Sequence, residues 1–366
     1  MKRKPVLTAG EKDDTCMSPA PDDIVLSPAL LSDLRALIES ARIRVAVGVN
    51  AEMVILYWDI GKRIRTEILF DERAEYGRRV VTELSDRLSR QYGRGFTRTN
   101  LFNMIRFTEV FPDRSIVHSM SGQLSWTHFR NIIYIEDQLA REFYTEMCRL
   151  ERWSVRTLQA KIQGMLFERT ALSKKPEELA RKELAALRDE DRMTPDLVFR
   201  SPYFLDFLGL SDAYSEKDLE NSILWELERF ILELGTDFSF IARQRRITVD
   251  SEDYYIDLLF YHRKLRRLVA IDLKLGKFRA ADKGQMELYL RWLDKYDRQA
   301  GEDPPIGLVL CAGSSAGHIE LLELKESSIR VAEYLTELPP RELLEQKLKA
   351  AVAIARERMV GREAKK

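Results

Sequence analysis

The chain has 366 residues, 45% of them hydrophobic and 32% charged, with 59 basic and 59 acidic side chains. That composition fits globular domains with cores of their own and excludes a collagenous or wholly disordered chain. The longest stretch without a charged residue, Pro304 to Ile319, is 16 positions broken by Pro, Gly and Ser, short of the roughly 20 apolar residues of a membrane helix. A net charge of zero leaves nucleic acid open, because binding follows where basic residues cluster rather than their sum.

The basic start, Met1 to Lys4, runs into Thr, Gly and acids rather than an apolar segment, so it does not read as a secretory signal. Cys16, Cys148 and Cys311 are odd in number and far apart, which suits neither a disulfide framework nor a zinc site. A cytoplasmic protein without a membrane span is the expectation. Residues 1–25 carry Pro5, Gly10, Pro19 and Pro21 without apolar periodicity and read as a disordered arm. Over 26–170 the apolar spacing is helical, as in Leu34, Leu37 and Ile38, or Met53, Leu56 and Ile60, so this part reads as an all-α domain.

Within that domain lies a basic stretch: Arg87, Arg90, Arg94, Arg98 and Arg106 fall between residues 87 and 107, where there is no acid. Gly93 and Gly95 end one helix and Thr97 or Thr99 can cap the next, which presents Arg98, Asn100, Asn103 and Arg106. A helix, a Gly turn and a polar basic helix are the parts of a helix-turn-helix. Arg94, Arg98, Asn100 and Arg106 are therefore the candidate nucleic-acid contacts, with a solvated basic face as the competing reading. Trp126, Thr127 and His128 open a further helix with Ser125 as cap, and Trp126 reads as core. Residues 171–195, with the charge-rich run Ser173 to Asp191, read as an exposed connecting helix.

After Thr194 strands and helices mix, and 196–340 reads as an α/β domain. Ser215 opens a helix with Asp218 three residues on, and the helix ends at Gly235. Strands are expected over Phe238 to Val249, Tyr254 to Tyr261, Leu268 to Leu273, Ile306 to Cys311 and Ile329 to Tyr334, with helices over Asp282 to Tyr296 and near His318 to Leu324. A charged amphipathic helix and tail fill 341–366. Overall the chain is α+β.

The segment from Tyr254 to Phe278 reads as a hairpin with Lys264 and Leu265 at its tip. In that register Asp257 lies opposite Asp272, and Lys274 joins them on the same face. Two carboxylates and an ammonium among Ile256, Leu258, Ile271 and Leu273 are costly to bury without a cation or mutual pairing. Hard oxygen donors suit Mg²⁺ or Mn²⁺, and the lysine can orient a water beside the metal. On the Ser215–Gly235 helix, Leu219, Ile223, Leu224, Leu227, Phe230, Ile231 and Leu234 fill an arc of roughly 140°. Glu220 falls inside it, whereas Glu226, Glu228 and Glu233 fall outside. Glu220 is then either a third acid of the site or an acid favoured near a helix start by the macrodipole. Gln285 and Tyr289, four apart, start the face continued by Trp292, Leu293 and Tyr296.

The ordered set Glu220, Asp257, Asp272-Leu273-Lys274 and Gln285-Met286-Glu287-Leu288-Tyr289 resembles the PD-(D/E)xK nuclease superfamily, with the Q-x-x-x-Y element of its RecB-like branch. Longer strings, DLENSILWELERFILELGTDFSFIARQ, YYIDLLFYHRKLRRLVAIDLK and GQMELYL, together with GRGFTRTNLFNMIRF and QLSWTHF upstream, resemble the bacterial YhcG-like family over about Leu34 to Leu335. The resemblance implies a restriction-endonuclease-like C-terminal domain with a mixed central sheet and a metal-dependent nuclease acting on DNA. Glu220, Asp257 and Asp272 would be metal ligands, Lys274 would position or activate water, and Gln285 and Tyr289 would support the site or DNA. Ile256 stands where the superfamily name has proline. A homodimer is an expectation from this resemblance alone, and the residues leave RNA open as substrate. A non-cleaving DNA-binding or partner-binding protein on the same fold is the alternative.

Other chemistries are ruled out on spacing. Gly313 to Gly317 matches G-x-S-x-G after a strand, but a serine hydrolase of that type needs an acid and then a histidine downstream, and the only later histidine is His318. His118, His128, His262 and His318 show no H-E-x-x-H spacing, and no Walker loop precedes Gly276-Lys277.

Overall fold

A computed structural model describes residues 48–66, 74–210, 213–235, 237–313 and 328–363, with 322 and 324. The expected arm over 1–25, the first part of the helical region, the loop after Gly313 and most of the helix near His318 to Leu324 lie outside the described residues. The rest is α+β: a helical region, then a mixed sheet with helices against it.

The helical region begins with α1 (48–66) and continues with α2 (Ala74–Tyr92), α3 (Arg98–Val110), α4 (Arg114–Ser121), α5 (Trp126–Ile132), α6 (Gln138–Glu151), α7 (Val155–Gln163) and α8 (Leu166–Arg169). Gly61 permits the closest crossing, since a Cβ there would run into the Met104 carbonyl of α3. Trp126 packs between Tyr57, 5.0 Å away, and Phe107, 5.4 Å away, so it belongs to the core. At the start of α5 the Ser125 N–H donates to His128 Nδ1 at 3.0 Å.

The charged run forms α9 (Glu177–Glu190), but it is not an exposed connector. Ala180, Leu184 and Leu187 are fully buried, three apolar positions at helical spacing that suffice to seat it on the core. A single hydrophobic cluster runs from Val54 through Phe143, Leu184 and Phe230 to Tyr334, so the helices and the sheet share one core.

After α10 (Pro195–Val198) come β1 (Tyr203–Phe204), α11 (Glu216–Trp225), α12 (Leu227–Leu234), β2 (Phe238–Val249), β3 (Glu252–His262), β4 (Arg267–Lys277), α13 (Ala280–Tyr296), β5 (Ile306–Gly313), β6 (Ile329–Leu335) and α14 (Arg341–Glu363). The sheet order is β1-β6-β5-β4-β3-β2. β4, β5, β6 and β1 are parallel, and β2 and β3 are antiparallel additions. Both antiparallel joints are tight turns. Residues 263–266 link β3 to β4, and Asp250 and Ser251, with φ of 49° and 70°, link β2 to β3, the two positive dihedrals that a hairpin turn matching strand twist requires.

The two faces of the sheet carry separate clusters. Leu258, Phe260, Val269 and Ile271 join the large core, while Leu259, Leu268 and Ala270 pack with Met286, Tyr289, Leu290 and Leu293 of α13. That division follows from the period of two along each strand. The helix expected from Ser215 to Gly235 is two helices broken at Glu226, whose φ of −106° and ψ of 31° leave the helical region. The break turns α12 relative to α11. Glu233, outside the apolar arc of a continuous helix, is consequently half-buried, bonded to Arg169 Nη1 at 2.5 Å and 4.0 Å from Arg200 Nη1.

Candidate active site

The β3–β4 register pairs Leu258 with Ile271 and His262 with Arg267, so Asp257 and Asp272 face each other from adjacent strands, as the hairpin reading requires. Asp272 is 2% exposed. Its Oδ2 forms an ion pair with Lys274 Nζ at 2.9 Å. Asp257 Oδ2 accepts from the Leu273 N–H at 2.8 Å. Burial, with Asp257 close by, pushes the Asp272 carboxyl up to about 7 against the opposing pull of Lys274. Burial also raises Asp257, offset in part by the Leu273 N–H, Lys274 and Gln244. For Lys274, burial acts downward but the attraction of Asp272, Glu216 and Asp257 outweighs it, and the ammonium lies above its ordinary range. It is a cation at neutral pH.

Glu220 comes from α11. Ser215 and Asp218 cap that helix reciprocally, the Ser215 N–H donating to Asp218 Oδ2 at 2.9 Å and the Asp218 N–H to Ser215 Oγ at 3.1 Å. One turn on, Glu220 is 6% exposed and points at β2, where it pairs with Arg243 and accepts from Gln244 Nε2 at 2.9 Å. The same Nε2 donates to Asp257 Oδ1 at 3.1 Å. Glu220 thus adjoins Asp257 through one amide nitrogen. Among the described residues, no three His, Cys, Asp or Glu side chains stand close enough to enclose a metal ion as placed.

Gln285 and Tyr289 point inward from α13. Tyr289 is 1% exposed, its hydroxyl donates to the Tyr255 carbonyl at 2.9 Å, and Gln285 Nε2 donates to that hydroxyl. They brace the end of β3 that carries Asp257. Arg243 and Gln244 were absent from the sequence reading, although a signal existed: the β2–β3 turn at Asp250-Ser251 sets Gln244 opposite Asp257 by the same counting that paired Asp257 with Asp272.

The donor set suits a hard divalent cation. Two buried carboxylates face each other, and the adjacent ammonium balances only one of the negative charges.

In the helical region the four candidate contacts divide. Arg94 and Arg98 are exposed. Asn100 is engaged internally, its Nδ2 donating to the Gly95 carbonyl at 2.5 Å and its Oδ1 accepting from Trp126 Nε1 at 2.9 Å. Arg106 Nε donates to the Ile133 carbonyl at 2.8 Å, and the guanidinium lies over the Tyr134 ring at 4.8 Å. Asn103 is buried and accepts from Tyr134 Oη at 2.6 Å. Asn100 and Arg106 therefore tie α3 to α5 and to the turn at Arg94–Phe96 that precedes α3, because their polar groups are the partners available to those carbonyls and the indole.

Residues 33–169 match the DUF1016 N-terminal domain, and residues 196–349 match the YhcG PDDEXK nuclease domain. A curated protein of Escherichia coli (strain K12), "Putative nuclease YhcG", is 35% identical over 353 residues, covering 88% of this chain and 93% of that protein. A crystal structure of a repair endonuclease from Pyrococcus abyssi matches at 22% identity over 36% of this chain and 50% of that chain, with a TM-score of 0.24, a likeness too slight to carry an argument. No helix among the described residues is long and apolar enough to cross a membrane. With a match over nearly its whole length and the acidic strand pair in register, the chain belongs to the YhcG family of PD-(D/E)XK nucleases.

Proposed function

We propose that the chain hydrolyses DNA phosphodiester bonds with a divalent cation, Mg²⁺ or Mn²⁺, held by Asp257 and Asp272 with Glu220 as the third acid. The observation that carries this reading is the opposed Asp257–Asp272 pair with Lys274 beside it. Bound there, the cation would polarise the scissile phosphate and acidify a water. Lys274, held as an ammonium by Asp272, orients the attacking water and offsets charge growing on the phosphoryl oxygens; a protonated amine cannot serve as the base. Gln285 and Tyr289 keep β3 in place through the Tyr255 carbonyl. In the helical region Arg94 and Arg98 supply phosphate contacts, whereas Asn100 and Arg106 act through the fold. The chain would work in the cytoplasm, where its cysteines stay reduced, and as a homodimer, which sedimentation can test.

Purified protein incubated with linear, circular and single-stranded DNA, and with RNA, in Mg²⁺, Mn²⁺ or EDTA provides the test, with Asp257→Ala in parallel. Metal-dependent DNA cleavage lost in the variant supports the reading. Cleavage of RNA alone would change the substrate class, and binding without cleavage on every substrate would favour the non-cleaving alternative.

A further inference from the structure

Gln244 sits in a conformation that calls for a reason. It lies inside β2 with a φ of +47°, a left-handed backbone that an L side chain other than Asn or Asp rarely adopts. Its neighbours keep the ladder, Arg243 opposite Leu258 and Arg245 opposite Ile256, and the register shift of β2 lies earlier, between Phe240 and Ala242. No helix cap or turn requires this conformation. What it accompanies is the placement of one amide nitrogen between two acids, 2.9 Å from Glu220 Oε2 and 3.1 Å from Asp257 Oδ1. Strained backbone that recurs at functional sites persists where the surroundings over-determine it.

The row across the sheet makes the point sharper. Gln244, Asp257 and Asp272 stand side by side on β2, β3 and β4, while Glu220 reaches the row from a helix. Glu220 and Asp257 carry like charge and come from different elements. Arg243 of the same strand competes for Glu220. An NH₂ group has two hydrogens, and here each goes to a different carboxylate, so the amide couples the helix acid to the sheet acid.

We infer that Gln244 is a positioning residue of the metal site, fixing the separation of Glu220 and Asp257 so that both can turn an oxygen toward one cation; this rests on the metal-site reading above. Gln244→Gly is the informative variant because it removes the amide and relieves the positive φ together. The full-length variant should bind Mn²⁺ about tenfold or more weakly, the usual loss when a group bonded to a metal ligand is removed, followed by the electron paramagnetic resonance signal of free Mn²⁺. Its melting temperature without metal should stay the same or rise, which a general folding defect would not allow. Gln244→Ala, which loses the amide and keeps the strain, should lose the same affinity. Unchanged or tighter Mn²⁺ binding in both variants would overturn the inference. Asp272→Asn, measured alongside, separates the two readings. If it abolishes Mn²⁺ binding while the Gln244 variants do not weaken it, only the role of Gln244 fails. If it binds Mn²⁺ like the wild type, the metal site itself is misassigned.

Discussion

Two polar regions of this molecule, α3 and the β2–β3–β4 row, use their side chains in opposite ways. On α3, Asn100, Asn103 and Arg106 each have a partner of opposite character, a carbonyl, an indole or a phenol, and the outcome is a satisfied joint between helices. In the row, Asp257 and Asp272 face each other with Lys274 beside them, and a strained glutamine bridges two acids. Folding alone favours the first arrangement. The second gathers like charge in a buried place, which suits residues that hold a cation.

That contrast can be broken by experiment, beginning where the effect is largest. Glu233 sits between Arg169 and Arg200, bonded to the first and 4.0 Å from the second, so Glu233→Ala, leaving two buried guanidinium groups short of a counter-ion, should cost about 3–5 kcal/mol in denaturant unfolding. Lys274→Ala, by contrast, should lower metal-dependent cleavage by on the order of 10²-fold or more, with a smaller loss of stability because the Asp272 carboxyl, already raised to about 7, can take up a proton in place of the lost ammonium. A large loss of stability there would place Lys274 among the structural charges.

His262 gives a pH test of the satisfied class. Its Nδ1 accepts from the Leu265 N–H at 3.1 Å, and burial pulls its pKa down to about 4. Below the unfolded value near 6.5 the unfolded chain takes up a proton that the folded chain refuses. The histidine's contribution to stability is therefore full above that pH and falls away as the pH drops toward 4. Chemical unfolding across that window should show a slope that is reduced in His262→Asn, by on the order of 1–3 kcal/mol over the range. Smaller again, Arg106→Ala should cost about 1–2 kcal/mol of stability. Arg98→Ala should leave stability alone, weaken DNA binding and lower the salt slope by about 1; an unchanged slope would remove the helix-turn-helix reading.

How much of this was legible beforehand varies with the kind of geometry involved. The Asp257–Asp272 pairing was open to view because a hairpin with a located turn fixes every cross-strand partner. Glu220 showed as one acid in an apolar stripe, and the capping box at Ser215 marked where its helix begins. Glu233 was misplaced because a wheel assumes one continuous helix and nothing local announces the kink at Glu226. Arg106 and Asn100 look like surface groups in any linear reading, since their partners, Ile133 and Trp126, are set by packing of helices distant in sequence. Gln244 lay within reach of the same counting that found the aspartates, but a neutral amide raises no alarm until its two bonds are seen.

The shared core carries a biological consequence. The two segments that match separate families are buried against each other in one cluster from Val54 to Tyr334. A fragment holding only the sheet would expose an apolar seam and lose the partners of α12. Such a fragment would be exposed to quality-control proteolysis, so the fold makes the helical region a condition for keeping the nuclease domain.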